Sequence, residues 1–211
     1  MTSRQIAAFD FDGTISHRDT LVPFLAKACG PIAMAKALTC VAPTAFKARA
    51  GLDKSGLHHR DVTKARLLRS LFTGREASWL AAQGESYSRD LTKKLRQEMV
   101  EQVQWHQSHG HELVLVSASL GTYLRPFAEL HGFDHVIAVE MQTDANGHLT
   151  GEMTGPNVRG PEKAKRLKAW LGEARPETMW AYGNSSGDTE LLAMANVPVW
   201  VGRAASKAAA T

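Results

Sequence analysis

The chain of 211 residues reads as an α/β protein: a parallel sheet built from alternating strands and helices, with a helical insert after the first strand. Three observations carry that expectation. An apolar run from Ile6 stops at Asp10-Phe11-Asp12-Gly13-Thr14, which is a strand ended by two acids and a turn. From Thr20 to Arg89 the apolar spacing is helical and few runs look like strands. Beyond it, short apolar runs alternate with amphipathic ones, the pattern of strands joined by helical crossovers.

Taken in order, the first strand places Asp10 and Asp12 toward one side and Phe11 toward the other, because a strand alternates with period two. In the insert, Leu21, Phe24 and Leu25 precede an Ala-rich segment, followed by Leu67, Leu68, Leu71, Phe72, Trp79 and Leu80. Thr92 to His109 continues as an amphipathic helix, with Leu95, Met99 and Val103 at four-residue steps and Gly110 as its stop. Glu112 to Val116 is a strand buried on both faces, Leu120 to His131 a helix, and His135 to Val139 the next strand. The stretches Val139–Thr143 and Leu149–Met153, with Asn146-Gly147 between them, predict a hairpin with a primed turn. Pro161 to Leu171 and Asp188 to Ala195 read as helices, Thr178–Tyr182 and Val197–Val201 as strands, and Arg203–Thr211 as a frayed tail.

Composition narrows the classes of function. The 44% apolar and 22% charged fractions are those of a soluble globular protein of roughly one to one and a half domains. No stretch reaches the roughly 18 uninterrupted apolar residues of a spanning helix. The nearest, Ala28 to Phe46, is broken by Pro31, Lys36 and Pro43. Asp10 and Asp12 interrupt the one early apolar run, so no signal peptide is expected. Two cysteines, Cys29 and Cys40, point to buried free thiols in a reducing compartment, and the expected location is the cytoplasm.

The net charge of +4 is uneven: Lys47, Arg49, Lys54, Arg60, Lys64, Arg66 and Arg69 face only Asp53 and Asp61. That run is either a solvated helix face or a surface for anionic substrates or an anionic membrane, so peripheral membrane contact stays open. Nucleic acid is not expected, because no recognition helix or aromatic platform accompanies the charge. The sequence leaves the oligomeric state undetermined.

In open parallel sheets, sites form beyond the carboxyl ends of the strands. Four polar sets fall there: Asp10 and Asp12; Ser117-Ala118-Ser119; Gly160-Pro161-Glu162-Lys163; and Gly183-Asn184-Ser185-Ser186-Gly187-Asp188. Acid pair, hydroxyl, lysine and an amide-plus-acid cluster together suit a phosphoryl group with a divalent cation. Taken singly, Ser117 and Asp188 would serve equally as helix caps, and Asp12-Gly13 as a solvated turn. Lys163 is more telling, since a cation in the first turn of a helix opposes the macrodipole.

These four motifs, in this order, resemble those of the haloacid dehalogenase superfamily. The Ser-Ala-Ser sequence and the long helical insert look like its phosphoserine-phosphatase-like branch, subfamily IB. The resemblance runs from about Ile6 to Val201 and implies a Rossmann-like core of residues 1–16 and 91–211, with 17–90 as a helical cap. It implies a phosphatase in which Asp10 is the nucleophile that forms an aspartyl-phosphate and Asp12 is the general acid and base. Ser117 and Lys163 would hold the phosphoryl oxygens, joined by the backbone of Gly13, Thr14 and Ala118. Magnesium would sit on Asp10, on the Asp12 carbonyl and on Asn184, with Asp188 in support.

Three positions depart from the family's pattern, the first being Gly13, where phosphoserine phosphatases commonly carry a serine. Asn184 stands where an aspartate is common, and Asp19 stands where phosphoserine phosphatases commonly carry a glutamate for the substrate amine. The expected substrate is therefore a small phosphorylated metabolite: phosphoserine-like, an amino-alcohol phosphate or a sugar phosphate. A lipid phosphate of the phosphatidylglycerophosphate type and a non-catalytic phosphate-binding relative are the alternatives.

Overall fold

The structure is a computed structural model and describes residues 4–49 and 59–202. The expected tail after 202 and Lys54 of the basic run lie outside the described residues. In chain order the elements are β1 (Gln5–Phe9), α1 (Leu21–Arg49), α2 (His59–Phe72), α3 (Ala77–Leu91), α4 (Gln97–Ser108), β2 (Glu112–Leu120) and α5 (Gly121–Leu130). Then follow β3 (His135–Val139), β4 (Met141–Thr143), β5 (Leu149–Met153), α6 (Pro161–Leu171), β6 (Thr178–Gly183), α7 (Thr189–Ala193) and β7 (Val197–Trp200).

The chain forms two compact units. The first holds the residues up to Thr20, Gly84–Val139 and Val158 onward. Its sheet has the order β3-β2-β1-β6-β7, and every neighbouring pair is parallel. The α/β class expected from the alternation of strands and helices is thus present. β1 lies at the centre because Ile6, Ala7, Ala8 and Phe9 have no polar side chain to offer solvent, and all four are fully buried. Register puts Phe9 opposite both Leu115 and Tyr182, so Asp10, Ser117 and Asn184 emerge at the same end of three adjacent strands.

The second unit comprises Leu21–Gln83 and Glu140–Asn157. It therefore takes in the β4-β5 hairpin, which the sequence places in the core, while Gly84–Leu91 belongs to the first unit. Hydrogen bonds account for the hairpin's place: Gly74 N–H donates to the Leu149 carbonyl at 2.9 Å, Leu149 N–H to the Arg75 carbonyl at 2.7 Å, and Ala77 N–H to the Gly147 carbonyl at 2.9 Å. Asn157 adds side-chain bonds to Asp61 and Lys64, both on α2.

Four local expectations change. The hairpin turn is not a primed two-residue turn, because Asn146 has negative φ. A four-residue turn closes instead through Gly147 N–H to the Asp144 carbonyl, with the Asp144 side chain accepting from the N–H groups of Asn146 and His148. The Thr92–His109 helix is interrupted, since Leu95 bridges Ser16 and Arg96 N–H donates to the Ile15 carbonyl at 2.8 Å, which draws that backbone out of helical conformation. β2 runs past Val116 to Leu120. Of the two free thiols, Cys29 is half-buried and Cys40 exposed, because α1 turns both away from the core of its unit.

Candidate active site

The strand-end residues of the first unit converge on one cluster. Asp10 is buried, with its N–H on the Tyr182 carbonyl at 2.9 Å, which extends the β1-β6 ladder by one residue. Below it Phe9 stacks flat on Tyr182, with centroids 4.4 Å apart. One Asp10 oxygen accepts from Thr14 Oγ1 at 2.9 Å and the other from Lys163 Nζ at 2.5 Å. Lys163 also donates to Asp188 Oδ1 at 2.6 Å. All three ionic side chains are buried.

Electrostatics follow from that burial. Desolvation raises the pKa of Asp10, opposed by the Lys163 ammonium and reinforced by Asp188. For Lys163, burial acts downward, but the two carboxylates outweigh it and leave the pKa above its ordinary value. Two carboxylates against one ammonium give the cluster a formal charge of −1, an arrangement that favours a further cation beside Asp10.

Position 163 is set by the start of α6. Gly160 N–H donates to the Gly187 carbonyl at 2.9 Å and Pro161 opens the helix, so the third helical residue points inward. The loop that supplies Gly187 is itself wound around Asp188. Asp188 Oδ2 accepts from Asn184 N–H at 3.2 Å, Ser185 N–H at 3.0 Å and Ser185 Oγ at 2.9 Å. Asp188 thus braces Lys163 through Oδ1 and the 184–185 backbone through Oδ2.

Asp12 has a separate environment. Its Oδ1 accepts from Thr20 N–H at 2.8 Å and Thr20 Oγ1 at 2.6 Å, and its Oδ2 from Ser119 Oγ. Thr20 is held in turn by Tyr87, whose hydroxyl donates to the Thr20 carbonyl at 3.0 Å, and by Tyr123, 3.2 Å from its Oγ1. Burial pushes the Asp12 carboxyl up to about 6, the hydrogen bonds from Ser119 and Thr20 pull against it, and the charges of Asp19 and Asp10 add to the rise.

The remaining expected residues fall as follows. Ser117 is buried at the end of β2, and its Oγ accepts from Ser119 N–H at 3.1 Å. Ala118 is half-buried between the two serines, and Asp19 is exposed. Gly13 has φ +79°, and a Cβ there would lie 2.0 Å from Asn184 Nδ2. The Asn184 amide therefore lies directly over the Asp12-Gly13 turn, a packing that only glycine at 13 permits.

Ser119 belongs to the expected Ser117-Ala118-Ser119 set but was given no role, and Thr20, Tyr87 and Tyr123 were not expected beside Asp12. Period two was the available signal for Ser119, because it must share the face of Ser117 on an extended strand. Nothing in the local pattern marks the other three.

Hard oxygen donors are available for a magnesium ion: the Asp10 carboxylate, the Asp12 carbonyl and the Asn184 amide oxygen, beside a cluster of net negative charge. Among the described residues no trio of His, Cys, Asp and Glu side chains forms a metal site, so amide and backbone oxygens must complete any such set.

A model of the haloacid dehalogenase-like hydrolases matches residues 7–193, and the chain belongs to that family. It is 28% identical over 195 residues to protein CicA of Caulobacter vibrioides, covering 90% of this chain and 83% of that one. It is 32% identical over 105 residues to a histidinol-phosphatase of Neisseria meningitidis, covering 47% of each. A substrate-bound phosphoserine phosphatase superposes with a TM-score of 0.61 at 15% identity, covering 92% of this chain and 84% of that one, and so shares the fold.

Proposed function

We propose that this chain is a magnesium-dependent phosphomonoester hydrolase that works through an aspartyl-phosphate. The observation that carries the reading is the contrast between two neighbouring carboxyls. Asp10 is held against an ammonium, and Asp12 sits half-buried among hydroxyl donors with its carboxyl pushed up to about 6. Two acids in such different surroundings suit two different roles.

In the first step an Asp10 oxygen attacks phosphorus and the bond to the ester oxygen breaks. Asp12, protonated beforehand, gives its proton to the departing alkoxide. In the second, Asp12 takes a proton from water as the water oxygen attacks phosphorus, which releases phosphate and restores Asp10. Lys163 and Ser117 offset and hold the phosphoryl oxygens, and Asp188 keeps Lys163 in line. Asp10, the Asp12 carbonyl and Asn184 would hold magnesium, which supplies neutralisation of phosphoryl charge when bound.

The substrate class is a small phosphorylated metabolite, with the inserted helical unit acting as a cap that selects the leaving group. The named activities of the histidinol-phosphatase and phosphoserine phosphatase relatives support this class. With magnesium, the protein should hydrolyse a chromogenic aryl phosphate, and Asp10→Asn should abolish turnover. A folded protein without turnover across several divalent cations would overturn the reading. A panel of phosphoserine, histidinol phosphate, sugar phosphates and phosphatidylglycerol phosphate would then identify the leaving group.

A further inference from the structure

We propose that the exposed side of α1 is a docking surface for an anionic lipid membrane, on which the helix lies flat in the interface. The proposal concerns the helical unit alone and does not depend on the hydrolytic reading.

Residues Leu21–Val41 of α1 are long and apolar enough, by length and composition, to cross a membrane. Their fold argues for a different placement. Gly30 (φ 81°, ψ 162°) leaves helical conformation and is followed by Pro31, so the segment is two short helices joined at a bend. A bend of that kind breaks the run of internal backbone hydrogen bonds that a bilayer core demands. Phe24, Leu25, Met34, Ala37 and Val41 are buried, and α2 packs along α1, so these side chains are not available to lipid tails.

The opposite side has a composition that water does not explain. Ile32 is 74% exposed and stands at the middle of the exposed arc, with Ala35, Lys36 and Thr39 at the following helical steps. Leu38 is 51% exposed at its edge, and Pro31 and Cys40 are exposed as well. Charge decides the kind of partner. The sequence has no acid between Asp19 and Asp53, whereas Lys27, Lys36, Lys47 and Arg49 fall within that interval. Lys27 and Lys36 are exposed on α1. Apolar side chains interspersed with cations and without acids match the surface of an anionic bilayer, where tails take the apolar groups and headgroup phosphates the ammonium groups. A second copy of the same face would set cation against cation.

The test is co-sedimentation of the full chain with vesicles of phosphatidylcholine, with and without phosphatidylglycerol. Binding should require phosphatidylglycerol and weaken as salt is raised. Lys36→Gln should lower the partition coefficient about fivefold, and Ile32→Asp about tenfold or more. Ile32 is exposed, so both variants should keep the circular dichroism spectrum and thermal midpoint of the parent chain. Pelleting that ignores phosphatidylglycerol, or an Ile32→Asp variant that binds like the parent, would overturn the proposal. So would an Ile32-dependent dimer in lipid-free sedimentation velocity, which would make the occupant a second copy.

Discussion

Replacing Asp12 by asparagine should make the fold more stable at neutral and alkaline pH, although it removes a group on which the proposed chemistry depends. The magnitude follows from the burial of the carboxyl. Its pKa stands at about 6 against an ordinary value of 3.8. At 1.36 kcal/mol per pH unit, that difference corresponds to roughly 3 kcal/mol of cost once the group is ionised. The side chain is only half-buried, so solvent screening brings the expectation to about 2 kcal/mol. The sign is fixed by linkage. A carboxyl whose pKa is raised on folding binds its proton more tightly in the folded state, so stability is lost as pH climbs from 3.8 through 6. Asparagine keeps an acceptor for Thr20 and turns a donor toward Ser119 Oγ, without any charge to desolvate. Urea denaturation in the presence of a chelator, at about pH 8 and at about pH 4, measures the effect. The variant should be about 2 kcal/mol more stable at the higher pH, with the gain shrinking toward zero at the lower. An equal or lower stability at pH 8, or a gain independent of pH, would refute the assignment of a buried, energetically costly carboxylate.

Two further outcomes follow from the same cluster. Asn184→Asp adds a charged oxygen beside Asp10 and should tighten magnesium binding about tenfold by calorimetry; an unchanged affinity would remove residue 184 from the ligand set. Thr20→Val keeps the backbone donor to Asp12 and deletes the hydroxyl donor. Losing one charge-assisted bond should raise the pKa of Asp12 and move the alkaline limb of aryl phosphate hydrolysis up by about one pH unit. A limb that stays in place would show that Thr20 does not set the ionisation of Asp12.

The parts of the site that were legible in the sequence are those attached directly to strand ends. A parallel sheet brings such residues to one edge whatever lies between them, so Asp10, Ser117 and Asn184 group by pattern alone, and Lys163 joins them because a cation in a first helical turn opposes the macrodipole. The surroundings of Asp12 were not legible, because Thr20 returns to it across an irregular loop and Tyr87 and Tyr123 come from helices whose docking no local pattern encodes. Asp188 carries the same lesson at shorter range: the order Asn184-Ser185-Ser186-Gly187-Asp188 suits a ligand or a cap alike, and the three donors on its Oδ2 are set by the winding of that loop, which local pattern does not encode. The hairpin was recognised as a hairpin but placed in the wrong unit, since alternation reports which face of a strand is buried and not the body against which it is buried.

The contact between Gly13 and Asn184 has a consequence for redesign. A Cβ at 13 would lie 2.0 Å from the present amide nitrogen of Asn184, so the amide would have to turn aside to admit it. Introducing a side chain at 13 would force the positive-φ backbone there and displace the Asn184 amide, the group proposed as a magnesium ligand. A side chain introduced at 13 is therefore designed together with residue 184, so that the displaced amide has a place to turn to.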